Sequence, residues 1–254
     1  FGRNIHYLRI SLTDNCNLRC IYCMPEEMNF LPTASMLQDD EILTLTRLFA
    51  GLGIDKVRLT GGEPTVRKNL VEIVRGIAAT PGIGSVTMTT NGVLLPLLAQ
   101  DLAKAGLRRV NISLDTLNPA RFNRLTRRGD LEDVLEGILA AEKAGMTPIK
   151  INAVVVRGYN EVDVSDLARI TLEHPWQLRF IEMMPFGGAT DLQTGSIVTA
   201  TEMQALVEKD LGPLEPVNGG ELDGEARLFH LPGAVGDIGF IASVSNPFCA
   251  ACTR

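Results

Sequence analysis

Six runs rich in β-branched and aliphatic residues, HYLRISLT, KVRLT, SVTMTT, RVNISLD, IKINAVVV and QLRFIEMM, recur along the first 184 positions of this 254-residue chain. Between them lie amphipathic stretches such as DDEILTLTRLFAGLG and LLPLLAQDLAKAG, with apolar residues at helical spacing. Parallel strands need long crossover connections, so this alternation predicts βαβ units on a parallel sheet. Helix punctuation agrees: Asn118-Pro119 reads as an N-cap followed by proline at the first helical position, and Gly106 and Gly145 stand where helices stop. We count six β/α units through about residue 190.

An open doubly wound sheet and a barrel both satisfy that pattern, and the position of the unusual residues separates them. A cysteine cluster follows the first run, Gly61-Gly62-Glu63-Pro64 the second and Thr90-Asn91-Gly92 the third, while Ser113 and Asp115 end the fourth and Met184 the sixth. All are carboxyl ends. A barrel gathers such ends at one mouth, whereas an open sheet spreads them along an edge. The expected fold is therefore α/β, a partial (β/α)6 barrel over residues 1–190. Residues 191–254 are expected to form a C-terminal α+β extension or cap: a capping box, Thr199-x-x-Glu202, opens a helix, and Gly- and Pro-rich sequence leads to the short runs RLFHL and DIGFIASV and to NPFCAACTR.

The formal net charge of −6 argues against nucleic-acid binding, which wants a basic surface. No apolar run approaches the ~20 residues of a membrane helix, and FGRNIHYLRI lacks the apolar stretch of a signal peptide. The expectation is a cytoplasmic chain with neither a membrane nor a nucleic-acid partner. Its five cysteines, grouped as three plus two, suit metal or redox chemistry better than a disulfide framework.

Cys16, Cys20 and Cys23 follow the spacing C-x3-C-x2-C. Three thiolates on one loop hold a [4Fe–4S] cube by three irons and leave the fourth open to another ligand. A zinc site wants four protein ligands. It would have to pair Cys20 and Cys23 with Cys249 and Cys252 across most of the chain, leaving Cys16 unused. A non-catalytic zinc-binding scaffold built on that pairing is the alternative from a different class.

CNLRCIYC, with an aromatic residue before its last cysteine, and GGEP after the second strand resemble the signatures of radical S-adenosylmethionine enzymes. Over nearly the whole chain, LRISLTDNCNLRCIYCMP, VRLTGGEPTVR, TTNG, LRRVNISLDTL, IKINAVVVRG, RFIEMMPFG and SVSNPFCAACTR resemble, in order, the GTP 3′,8-cyclase family of molybdenum cofactor biosynthesis. The resemblance implies that Cys16, Cys20 and Cys23 hold a [4Fe–4S] cluster that cleaves S-adenosylmethionine, with Tyr22, Gly62, Ser113 and Met184 lining the S-adenosylmethionine site. It implies a GTP site at Arg9, Arg58, Thr89, Lys150 and Arg254, and a second, substrate-binding [4Fe–4S] cluster on Cys249, Cys252 and a third cysteine. That third cysteine lies beyond residue 254, so the expectation for this 254-residue form is an incomplete second cluster and impaired cyclisation. An external reductant is implied, and a homodimer is compatible with this reading.

Residue chemistry supplies its own alternatives. Gly61-Gly62 alone reads as a turn and Met184 alone as core. Arg9, Arg58 and Lys150 sit among apolar neighbours and need anionic partners, either phosphates or carboxylates such as Glu182 and Asp115. The basic run RFNRLTRRG, residues 121–129, reads as a solvated helix end, and His6, His174 and His230 read as structural. A different radical S-adenosylmethionine enzyme with an auxiliary cluster, of the peptide-modifying maturase kind, would share the barrel without requiring the three cations together.

Overall fold

The computed structural model describes residues 4–184, 192, 194–249, 252 and 253. The elements follow one another as β1 (Tyr7–Ser11), α1 (Asp39–Gly51), β2 (Lys56–Thr60), α2 (Leu70–Ala78), β3 (Ser85–Thr90), α3 (Leu95–Ala105), β4 (Leu107–Ser113), α4 (Pro119–Thr126), α5 (Leu131–Lys143), β5 (Lys150–Val155), α6 (Val164–Ala168), α7 (Ile170–Glu173), β6 (Gln177–Glu182), α8 (Ala200–Leu211), β7 (Glu215–Pro216), β8 (Leu222–Asp223), β9 (Ala226–His230) and β10 (Asp237–Ile241).

The six anticipated runs are the six strands β1 to β6, parallel and in sequence order within a single sheet. Among the described residues no strand pairs with the far side of β1, where the Tyr7 N–H donates to the Thr253 carbonyl at 3.3 Å, so the barrel is partial. After β6 the sheet continues: β10 pairs parallel with β6, β9 pairs antiparallel with β10, and the short β7 and β8 both pair with β9. The C-terminal extension thus lengthens the barrel wall.

Strand patterning explains the layers. In β5, Ile151, Ala153 and Val155 are buried against the helices, while Lys150, Asn152 and Val154 alternate with them toward the concave side. One continuous core under the helices joins Val57, Leu59, Val110, Ile112, Ile151 and Phe180 to the apolar faces of α2, α3 and α5. Helix ends follow the sequence signals: Asn118 accepts from the Arg121 N–H at 3.0 Å, Gly106 takes φ 109° at the end of α3, and Thr199 and Glu202 form the capping box of α8. Among the described residues no helix is long and apolar enough to cross a membrane.

The run over residues 121–129 ends α4 with Arg124, Arg127 and Arg128 exposed, as anticipated, and the correction is confined to Arg121 and to the contacts that Arg124 and Arg127 make. Arg121 Nε lies 2.6 Å from the Asp163 carboxylate, which is 2% exposed, and Arg124 lies 4.5 Å over the Tyr159 ring. Arg127 donates to the carbonyls of Arg19 and Met24, so this stretch clamps the cysteine loop to α4. A buried carboxylate needs a cation, and that demand draws Arg121 onto Asp163 while the rest of the basic run stays hydrated. The histidines are structural: His6 meets Asp55, His230 meets Asp237 and His174 stacks on Trp176.

Candidate active site

Because β1 to β6 run parallel, every strand-end motif emerges on one face, and hydrogen bonds join the first three, backbone to backbone between the first two and through side chains to the third. The Gly62 N–H donates to the Thr13 carbonyl at 2.6 Å and the Glu63 N–H to that of Asn15 at 2.7 Å. A Cβ on Gly62 would fall 2.3 Å from the Asn15 oxygen, so the glycine is required by the close approach of the cysteine loop's own backbone. Glu63, 1% exposed, accepts from the Thr65 N–H and hydroxyl, the Thr90 hydroxyl and the Asn91 N–H. Burial pushes its carboxyl up, and these donors pull it back. The Asn91 side chain in turn donates to Asn17 Oδ1 at 2.7 Å and reaches Cys16 Sγ at 3.9 Å.

This framework surrounds an upper cavity of about 190 Å³ lined by Cys16, Cys20, Cys23, Tyr22, Gly62, Thr89, Ser113 and Asp115, among others. All three thiols of the motif therefore face one space. Burial raises the pKa of each, and Asp115 raises those of Cys20 and Cys23 further. Bound cations remove such a penalty by stabilising thiolates. The Leu18 N–H points at Cys16 Sγ at 3.4 Å, a contact of the kind that tunes cluster-bound sulfur. Three thiols facing one cavity and an amide aimed at sulfur fit an iron–sulfur cluster.

A lower cavity of about 360 Å³ lies toward the amino ends of the same strands. In β3, Thr87 lines the lower space and Thr89 the upper; in β4 the division falls between Asn111 and Ser113, and in β5 between Lys150 and Val154. Lys56, Arg58, Arg109, Lys150 and Arg179 face the lower cavity, opposed by Asp223 and Glu225, which leaves three positive charges in surplus. Burial lowers the pKa of Lys150 to about 8, with the nearby Arg179 adding to the effect, and burial likewise lowers Arg179. Arg58 lies 5.4 Å over the Tyr7 ring, and its buried Nε has no hydrogen-bond partner among the described residues. Asn152 Oδ1, one rung above Lys150, is likewise unsatisfied. Such a site wants a multivalent anion.

The anticipated residues distribute unevenly. Cys16, Cys20, Cys23, Tyr22, Gly62, Ser113 and Thr89 line the upper cavity, and Arg58, Lys150 and Cys252 the lower. Cys249 is exposed three positions before Cys252. Arg9 shares a register line with Arg58 and Arg109 but stands on the exposed edge strand, beside a groove formed with α1. Met184 is 42% exposed, outside both the core and the cavity linings. Arg254 lies outside the described residues.

The carboxylate partners anticipated for the cations are corrected. Lys150 pairs with Asp223, whereas Glu182 binds the Ala200, Val244 and Ser245 amides and Asp115 binds Tyr22 and Val154. The zinc pairing also fails. Cys20 and Cys23 face the upper cavity and Cys252 the lower, and no group of three metal-ligating side chains converges on an ion-sized site among the described residues. Sequence reasoning overlooked Lys56, Arg109 and Arg179. Their signal was present: each occupies an inward-facing alternate position of a strand already identified.

Comparison with known proteins agrees with this geometry. Residues 10–170 match the radical SAM superfamily and residues 176–254 the Molybdenum Cofactor Synthesis C family. A GTP 3′,8-cyclase of Pelotomaculum thermopropionicum is 47% identical over all of this chain and 78% of its own length. That of Moorella thermoacetica is 48% identical with the same coverage. Among solved structures, Streptococcus suis SuiB bound to S-adenosylmethionine superposes on 82% of the chain with a TM-score of 0.63 at 18% identity. Methylornithine synthase (PylB) superposes on 81% with a TM-score of 0.61 at 14% identity. The chain spans 47% and 62% of those two structures, and the likeness is one of fold.

Proposed function

This chain belongs to the radical SAM superfamily and, within it, to the GTP 3′,8-cyclase family, and from that premise we infer how its two cavities divide the first step of molybdenum cofactor biosynthesis. The reaction converts GTP to 3′,8-cyclo-7,8-dihydro-GTP. Cys16, Cys20 and Cys23 would hold a [4Fe–4S] cluster, and Tyr22, Gly62 and Ser113 would line the space for S-adenosylmethionine beside it. When bound and reduced by an external one-electron donor, such a cluster would supply reductive cleavage of S-adenosylmethionine to methionine and a 5′-deoxyadenosyl radical, which becomes 5′-deoxyadenosine on taking the C3′ hydrogen of GTP.

The residues of this chain bind and orient. The observation that carries the assignment is the stacking of a three-thiol cavity on a five-cation cavity within one barrel. Arg58, Lys150 and Arg179, with Lys56 and Arg109, would anchor the triphosphate below. Arginine forks hold phosphate oxygens bidentately and so limit the nucleoside's rotation. The ribose would then point up the barrel axis, past Asn152, toward Thr89 and Ser113 on the lining of the upper cavity. Cys249 and Cys252 would contribute two thiolates to a second cluster near the floor, where Cys252 lines the cavity. A peptide-modifying reading gains nothing from five inward-facing cations.

Deuterium at C3′ of GTP tests this division of labour. Anaerobically reconstituted, reduced protein should transfer that deuterium into 5′-deoxyadenosine. Unlabelled 5′-deoxyadenosine formed in the presence of labelled GTP would mean that the lower cavity does not deliver C3′ to the radical.

A further inference from the structure

Asp115, two residues past the end of β4 and 5% exposed, carries a buried carboxylate that the division of roles above leaves without one. Its Oδ2 accepts the Tyr22 hydroxyl at 2.6 Å and its Oδ1 the Val154 N–H at 2.8 Å. Its backbone carbonyl accepts from the Asn160 side chain at 2.7 Å, and that asparagine also donates to the Val154 carbonyl at 2.9 Å. The carboxylate is therefore fixed from the β5 side before it meets the cysteine loop.

Tyr22 sits between Cys20 and Cys23. Backbone contacts tie this part of the loop to the end of α4, through Arg19 N to Thr126 O and Ile21 N to Leu125 O, both at 2.9 Å. Toward the strands, the Tyr22–Asp115 bond is the one side-chain hydrogen bond from Cys20–Cys23 among the described residues. A charged acceptor makes a short, strong hydrogen bond to a phenol. Without it, rotation about the Tyr22 side chain would let the loop between two thiols shift relative to Gly62 and Ser113.

We propose that Asp115 is a positioning residue for the S-adenosylmethionine cavity, acting through Tyr22 to hold the Cys20–Cys23 segment in register with the ends of β4 and β5. The proposal rests on the reading of the upper cavity given above. The buried carboxylate has a second consequence. As an anion facing the same space as the thiols, it opposes addition of an electron there, so its neutralisation should move a cluster's midpoint potential to a more positive value.

The experiment compares Tyr22→Phe, Asp115→Ala, Asp115→Asn and the Tyr22→Phe/Asp115→Ala double variant after anaerobic reconstitution. Equilibrium dialysis reads S-adenosylmethionine affinity, and electron paramagnetic resonance during a redox titration reads the cluster's potential. Loss of the bond should weaken affinity about tenfold in either single variant. The double variant should be no worse than the weaker single, because both remove the same contact. Asp115→Asn should recover most of the affinity, since the phenol can turn to accept from the amide, yet keep the positive shift in potential. Unchanged affinity in both single variants, additive losses in the double, or an unshifted potential in Asp115→Asn would each overturn the proposal. If Asp115→Ala does not fold, Tyr22→Phe and Asp115→Asn still decide it. Failure of the unaltered protein to bind S-adenosylmethionine would instead remove the reading of the upper cavity, and with it the ground for this proposal.

Discussion

The Asp223 carboxylate lies 3.2 Å from an Arg179 guanidinium nitrogen and 3.4 Å from Lys150 Nζ, so the turn between β8 and β9 rests on two cations of the lower cavity. Its acidic tip stands where the phosphates of a nucleotide would find their charge. The same carboxylate is 46% exposed, which makes it a weak competitor.

Asp223→Asn should therefore strengthen GTP binding, by about threefold at moderate ionic strength. Isothermal titration calorimetry reads this directly. Weaker binding in the variant would show that the carboxylate arranges Lys150 and Arg179 for the ligand instead of competing with it.

Lys150 gives binding a pH dependence. Its pKa of about 8 lies below the ~10.4 of a free lysine, so between these values the unfolded chain binds more protons than the folded one. In that window folding stability gains from rising pH. GTP binding moves the other way, because phosphate prefers the ammonium form: affinity should fall as pH rises through about 8, with proton uptake on binding. Lys150→Arg should flatten the profile above pH 8, since guanidinium stays charged. An identical profile in the variant would assign the titration elsewhere.

Glu182, fully buried at the end of β6, joins the barrel to two later segments. It accepts from the Ala200 N–H at the start of α8, from the Val244 and Ser245 N–H groups and from the Ser245 hydroxyl, which together hold its carboxyl below the ordinary range despite the opposing effect of burial. Glu182→Ala would leave three amides without their acceptor and cost about 3 kcal/mol or more. Thermal denaturation should show a large drop in Tm, and a shift of only a degree or two would contradict this account of the joint.

Gly62→Ala tests the contact between motifs. The added methyl would overlap the Asn15 and Asp14 carbonyls, so the cysteine loop must move away. The variant should fold but hold well under half the iron of the unaltered protein after reconstitution, measured by chemical iron analysis. Normal loading would show that the loop tolerates displacement.

How far the sequence spoke depends on the range of the interaction. Six strands, their parallel order and the caps at Asn118 and Thr199 follow from local periodicity and turn chemistry, and the cysteine spacing follows from the geometry of one loop. Arg179 and Arg109 went unnoticed because their importance arises only when strands from distant parts of the chain face one cavity. The partner of Lys150 proved to be Asp223, on a Gly-rich turn whose place over the barrel floor no local pattern encodes. Gly62 was anticipated at the S-adenosylmethionine site, and the structure adds that the backbone of Asp14 and Asn15 is what leaves no room for a side chain there. Arg121 looked solvated because Asp163, its buried counterion, lies 42 residues away.

The central claim is that Cys16, Cys20 and Cys23 equip the upper cavity to split S-adenosylmethionine. The most direct measurement is 5′-deoxyadenosine release after anaerobic reconstitution with iron and sulfide and reduction with dithionite, for the unaltered chain and for Cys20→Ala. The account predicts release from the former and loss of at least about a hundredfold in the latter. No release from the unaltered chain, or equal release from both, would contradict it.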